Sequence, residues 1–337
     1  MADILLAILI VLSFLITALL MPYWIRKAHQ IRLVWKDMNK YSHPLVAGSG
    51  GIIVTGAFVV SILFFIAYRV FYLHTTGYLI EILSLLVTVI LLGSIGFMDD
   101  LFGWQRGGLS RRSRIILVLL ACLPLVVINA GRSGMEIPFI GTVDVGIIYP
   151  LVIIPLGIVG ASTTFNFLAG FNGLEAGQGI LMLGALSLVA YLTGNSWLSV
   201  IGLCMVATLC GFLLFNLSPA RVFPGDCLTY PVGGMIAIIA ILGNFEKIAL
   251  FFFIPVIIEV VLKSRGAFVK QSFGNPQKDG SIDVPYERVY GLTHASILLQ
   301  KKMNLVPNER RTVYFIWLFQ LAIILLGLIV FSKGLFL

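Results

Sequence analysis

The chain has 337 residues, 59% of them hydrophobic and only 11% charged, with a mean hydropathy of +1.02. No soluble domain can bury that fraction, so a soluble protein is excluded and an integral membrane protein is expected. The net charge of +8 is gathered in particular loops, as membrane topology requires, and is not read as a nucleic-acid signal.

Ten apolar spans are predicted in chain order, at about 4–25, 46–72, 78–97, 114–130, 147–165, 180–194, 197–216, 228–243, 248–263 and 312–333. The first lacks a basic leader and a small-residue cleavage site, and reads as a retained helix rather than a signal peptide. The runs are continuous and not alternating, which argues against transmembrane strands. Span eight is short, and its Gly233-Gly234 pair predicts close helix packing. The expected fold is all-α and polytopic, one membrane-embedded unit over 1–337. Segment 264–311 is the one stretch long enough for a small extramembrane subdomain. Cys122, Cys204, Cys210 and Cys227 form no CxxC pair and read as small buried hydrophobes, with no disulfide or zinc inferred.

With these spans, 19 of the 23 lysines and arginines fall on one side. Such asymmetry marks that side as cytoplasmic and places both termini outside. Three polar constellations fall on the same side. Asp99-Asp100 opens the loop after span three, NFLAGFNGLEAGQ (166–178) follows span five, and FPGDCLTY leads into span eight. Acids and amides at the ends of hydrophobic spans are costly to hold there and mark functional sites.

Adjacent carboxylates can hold a hard divalent cation, share a proton or act as a base; they can also be a solvated helix end. Gly170, Gly173 and Gly177 permit tight turns, while Asn166, Asn172 and Glu175 supply oxygens for a nucleotide or a cation. An ordinary re-entrant turn is the alternative. Asp226, after Pro-Gly, is read either as the N-cap of span eight or as a metal ligand. In KDMNKYSHPLVAGSGG, Lys40 and its neighbours suit phosphate, and positive-inside charge explains them equally well. His294 is a candidate phosphate or sugar contact.

GFMDDLFG, NFLAGFNGLEAGQG and SPARVFPGDCLTYPVGGM, in this order, resemble the polyprenyl-phosphate N-acetylhexosamine-1-phosphate transferase family. NGLEAGQ and the RVFxGDxxxY pattern resemble its eukaryotic and archaeal branch, which uses UDP-GlcNAc and dolichyl phosphate. KDMNK at 36–40 and the NER before the last span are similar too. The resemblance implies ten helices, a cytosolic site, and Mg²⁺-dependent transfer of sugar-1-phosphate from a UDP-sugar to a polyprenyl phosphate, releasing UMP. Mn²⁺ is expected to substitute. By matching position, Asn166 and Asp226 would be the magnesium-side ligands and Asp99 and Asp100 would lie by the lipid phosphate. Asn172 and the glycines of its loop, Gly173 among them, would hold the nucleotide, with Glu175 supporting the loop. The family's DDxxD/N pattern ends here in Gly103, so a third polar group is missing or comes from elsewhere. Its His- and Arg-rich pyrophosphate stretch is not recognisable, leaving Arg265, Lys270, Arg288 and His294 as scattered candidates. The short loop fits an archaeal chain, and so a plasma-membrane location; a eukaryotic chain would lie in the ER membrane. The acceptor's tail is expected in a groove beside span nine, among membrane lipids. A second copy of the chain is admitted as a partner.

Three competitors are weighed. A secondary transporter would place its acids near the midplane in repeated halves; here they gather at one interface and no repeat is visible. A CDP-alcohol phosphotransferase would need a DG…AR…G…D…D array, which is absent. A phospho-N-acetylmuramoyl-pentapeptide transferase of the same family is the runner-up, and a cytosolic histidine cluster would favour it.

Overall fold

The computed structural model describes residues 2–137 and 141–332. Among them thirteen helices run α1 Ala2–Gln30, α2 Gly51–Ala67, α3 Leu79–Arg106, α4 Arg111–Ala121, α5 Leu123–Val127, α6 Ile154–Phe165, α7 Leu174–Leu192, α8 Ser196–Asn216, α9 Asp226–Gly243, α10 Glu246–Phe252, α11 Ile254–Ser264, α12 Leu292–Lys302 and α13 Glu309–Val330. Three small antiparallel hairpins join them: β1 Val34–Lys36 with β2 Leu45–Ala47, β3 Gly134–Ile137 with β4 Gly141–Asp144, and β5 Asn275–Pro276 with β6 Ile282–Asp283. The all-α, multi-pass reading holds.

Eight helices in the described residues are long and apolar enough to cross a membrane, rather than ten. The other two expected spans, 114–130 and 248–263, are each broken next to a proline. Pro124 starts α5 just after α4, and Pro255 starts α11 just after α10. Proline lacks the N–H that continues a helix, so each segment runs as two short pieces.

Two further boundaries differ. α3 continues past Asp99-Asp100 to Arg106 and stops where Gly107 and Gly108 both take positive φ. α7 begins at Leu174, so LEAGQG lies in helix and not in loop. Gly173 at φ +87 makes the turn into it, a conformation glycine adopts without penalty.

The centre of the bundle is α9. Its span is 94% buried, against 22% for α1, which lies at the rim. The Gly233-Gly234 pair explains the density, as the sequence suggested. A Cβ on Gly233 would meet the Ala161 carbonyl of α6 at 2.4 Å, and one on Gly234 would meet Leu92 of α3 at 2.3 Å. Pro231 inside α9 cannot donate to the Cys227 carbonyl, and Thr55 Oγ1 of α2 donates to it instead, at 3.2 Å. Replacing Gly233 with leucine is expected to unseat α6 and to lose most folded protein, scored by monodispersity in detergent; an undisturbed yield would remove the close-packing account.

The chain's connections gather at two ends. At one, Tyr78 stacks on Trp197 at 4.8 Å and the Tyr149 hydroxyl donates to Glu246. At the other lie the three polar constellations.

Candidate active site

Close backbone approach assembles the site. A Cβ on Gly96 of α3 would meet the Asp226 carbonyl oxygen at 2.3 Å, so the end of α3 rests on the start of α9. This contact delivers Asp99 and Asp100 to Asp226.

The adjacent acids then diverge. Asp100 accepts from the backbone N–H of Asp226 at 2.7 Å and of Cys227 at 3.4 Å. It therefore caps α9 from a different helix. Asp226 is the first residue of α9 and not its cap. The N-cap is Gly225 at φ +70, and a Cβ there would meet Asp100 Oδ2 at 2.2 Å. Asp99 is buried behind. It pairs with Arg114 (Nε–Oδ2 2.5 Å), accepts from the Leu109 N–H at 2.8 Å, and accepts from the Tyr230 hydroxyl at 3.2 Å. A Cβ on Gly103 would meet nothing within 4 Å, so among the described residues no neighbour fills the place of the side chain it lacks.

Asn166, in a 3-10 turn after α6, donates from Nδ2 to Asp226 Oδ1 at 2.7 Å. Asp226, Asp100 and Asn166 are half-buried and reach the surface, unlike Asp99. Three carboxylates thus lie together with one guanidinium, an excess of negative charge that favours a cation. Among the described residues no group of three or more His, Cys, Asp or Glu forms a ready metal cage. Mg²⁺ does not require one, since it is held by one or two carboxylates plus substrate phosphates and water. The hard oxygens of Asp226 and Asn166 fit that role.

The other expected residues fall differently. Asn172 is buried; its Nδ2 donates to Asp37 Oδ2 at 2.8 Å and its backbone N–H to Glu309 Oε1 at 3.0 Å. Gly173 N–H donates to Asn216 Oδ1 at 3.0 Å. Glu175 is buried, and its Oε1 accepts from Gly170 N–H at 3.2 Å, so it supports the loop from within. Lys40 pairs with Glu309. Arg265 is exposed at the end of α11. His294 is fully buried: Tyr290 N–H donates to its Nδ1 at 3.4 Å and its Nε2 lies 3.3 Å from the Phe273 carbonyl. Burial holds its imidazole below the ordinary value. Both of its ring nitrogens meet backbone. Sequence reasoning assigned no role to Asp37, Glu309, Arg114 or Tyr230. KDMNK and NER were visible signals for the first two.

Segment 264–311 folds back on the bundle. Buried Glu259 of α11 accepts from the Leu292 N–H at 2.6 Å, and Asn39 accepts from the Gly274 N–H at 3.0 Å. A cavity of about 450 Å³ lies between this segment, Lys40, Ser218 and Arg310. A larger cleft, about 1050 Å³, runs along α6 from Ile153 to Thr164 against α9 and α10.

Fold and site together define a multi-pass membrane protein with an acid-rich polar centre at one end of its bundle. The description "Glycosyl transferase family 4" matches residues 82–244. Among similar proteins is one from Saccharolobus solfataricus provisionally named a UDP-N-acetylglucosamine–dolichyl-phosphate N-acetylglucosaminephosphotransferase. It is 34% identical over 85% of this chain and 85% of its own. The protein of that name from Dictyostelium discoideum is 30% identical over 82% of this chain and 72% of its own. A phospho-N-acetylmuramoyl-pentapeptide-transferase from Halalkalibacterium halodurans is 31% identical over 79% and 86%. The chain belongs to glycosyl transferase family 4.

Proposed function

We propose that the chain transfers N-acetylglucosamine-1-phosphate from UDP-GlcNAc to a polyprenyl phosphate of the dolichyl type, releasing UMP. This is the entry step of lipid-linked oligosaccharide assembly for N-glycans. The observation that carries the reading is the convergence of Asn166, Asp100 and Asp226 at one end of a membrane bundle. That is where a lipid phosphate and a soluble nucleotide sugar can meet.

The acceptor phosphate oxygen attacks the β-phosphorus of the donor, the bond to the bridging oxygen breaks, and UMP leaves. A phosphate monoester has a second pKa of about 6, so the attacking oxygen is already anionic near neutral pH. The acids then serve to orient rather than to deprotonate. Asp226 and Asn166 would hold Mg²⁺, which when bound offsets diphosphate charge. The prenyl tail lies in the cleft along α6, whose Ile153–Thr164 wall is about 16 Å long.

Purified protein, polyprenyl phosphate and a panel of UDP-sugars test this. UMP release is expected with UDP-GlcNAc, lost in EDTA and restored by Mg²⁺ or Mn²⁺. The Halalkalibacterium relative favours a second reading, with UDP-MurNAc-pentapeptide as donor. Efficient turnover of that donor, and none of UDP-GlcNAc, would select it.

The acid end is assigned to the cytosol, where the basic loops lie. Cysteines replacing exposed Arg112 and Gln277 in a Cys-free background should resist an impermeant thiol reagent in intact cells. One replacing Ser196 should react. The reverse pattern would invert the orientation.

A further inference from the structure

We infer that Glu309 and Lys40 form a clasp that positions the Asn172 loop, so that Lys40 acts through Glu309 and not as a phosphate ligand. The inference rests on the UDP-GlcNAc reading only for its kinetic consequence.

Glu309, in the first turn of α13, is 4% exposed. A buried carboxylate must be paired and hydrogen-bonded to be tolerated. Its Oε1 takes the Asn172 N–H at 3.0 Å. Its Oε2 takes the Ser218 hydroxyl at 2.7 Å and the Lys40 ammonium. Lys40 in turn donates to Ser218 Oγ at 2.8 Å. One side chain thereby ties the segments before α2, before α7 and before α9 to the last span.

The neighbouring residues reinforce the same loop. Asp37 Oδ2 accepts from Asn172 Nδ2 at 2.8 Å. Asn39 donates to the Gly170 carbonyl at 2.5 Å and accepts from the Gly274 N–H at 3.0 Å. KDMNK is therefore a binding strip for the chain itself, with three of its side chains committed to other loops. Two of the ammonium's three donors are already used, which leaves Lys40 poorly placed to serve a diphosphate. Every bond to the Glu309 carboxylate is charge-assisted, the stronger kind, so losing its charge weakens its hold on Asn172 and on Lys40 together.

The test uses the full-length protein in detergent. Hydrogen exchange is read first, without any nucleotide, on the segment 169–174. Glu309→Gln should speed exchange there at least tenfold, and Lys40→Met should act in the same direction. The double variant should be no worse than the worse single, because both remove one interaction. With UDP-GlcNAc as donor, each variant should raise donor KM at least fivefold, with kcat within threefold of wild type and acceptor KM unchanged. Unchanged exchange in both variants overturns the clasp, as does additivity in the double variant. A fall in kcat at constant donor KM also overturns it. If Glu309→Gln does not fold, Lys40→Met, on the half-exposed side of the pair, carries the same test. If wild-type protein released no UMP from UDP-GlcNAc, the donor reading would fall while the exchange data still decided the clasp.

Discussion

Asp226→Ala is expected to lower UMP release by about 10³-fold, the upper end of what one preorganised electrostatic group contributes. The fold should survive. The start of α9 is held by Asp100 accepting from the backbone N–H groups of residues 226 and 227, and alanine keeps both donors. Removing one of three crowded carboxylates also relieves repulsion, so thermal stability should hold or rise. Asp226→Asn should be nearly as inactive, because it keeps the shape and loses the charge. Turnover within threefold of wild type in Asp226→Ala would remove this acid from the chemistry.

Asn substitutions at the two neighbouring acids should fail in different ways. Asp99 is the buried partner of Arg114 and Tyr230. Its replacement should lower stability by about 1–3 kcal/mol, as expected when a buried charged group loses its hydrogen-bond partner. Asp100 is half-buried and holds the start of α9. Its replacement should cost kcat about 10²-fold with a smaller loss of stability, since one amide oxygen can still cap the helix. Thermal unfolding and steady-state kinetics on both variants check this. Matching stability and matching kcat in the two would mean that the acids share one role.

Much of the fold is legible in the composition, because hydrocarbon requires continuous apolar helices. The acid end of the bundle follows from where Asp99-Asp100, Asn166 and Asp226 sit relative to those helices. What escapes is whatever depends on contact between distant segments. Hydropathy cannot register the breaks beside Pro124 and Pro255, since both halves of each segment stay apolar. Asp226 reads as a helix cap because Pro-Gly precedes it, yet the capping carboxylate comes from α3, 126 residues away. Lys40 and His294 suit phosphate by residue type. The contacts they make in the structure, with Glu309 and with the Tyr290 and Phe273 backbone, are set by tertiary packing.

The cross-helix cap on α9 also changes the electrostatic character of the site. The N-terminus of an 18-residue helix carries the equivalent of about half a positive charge. Asp100 rests on that pole, so part of its field is cancelled at the source. Arg114 does the same for Asp99. Formal charge therefore overstates how strongly the cluster repels an incoming diphosphate. Asp226, in the first turn of α9, shares that pole and lies within the field of Arg114, so the three acids draw on two fixed positive sources between them.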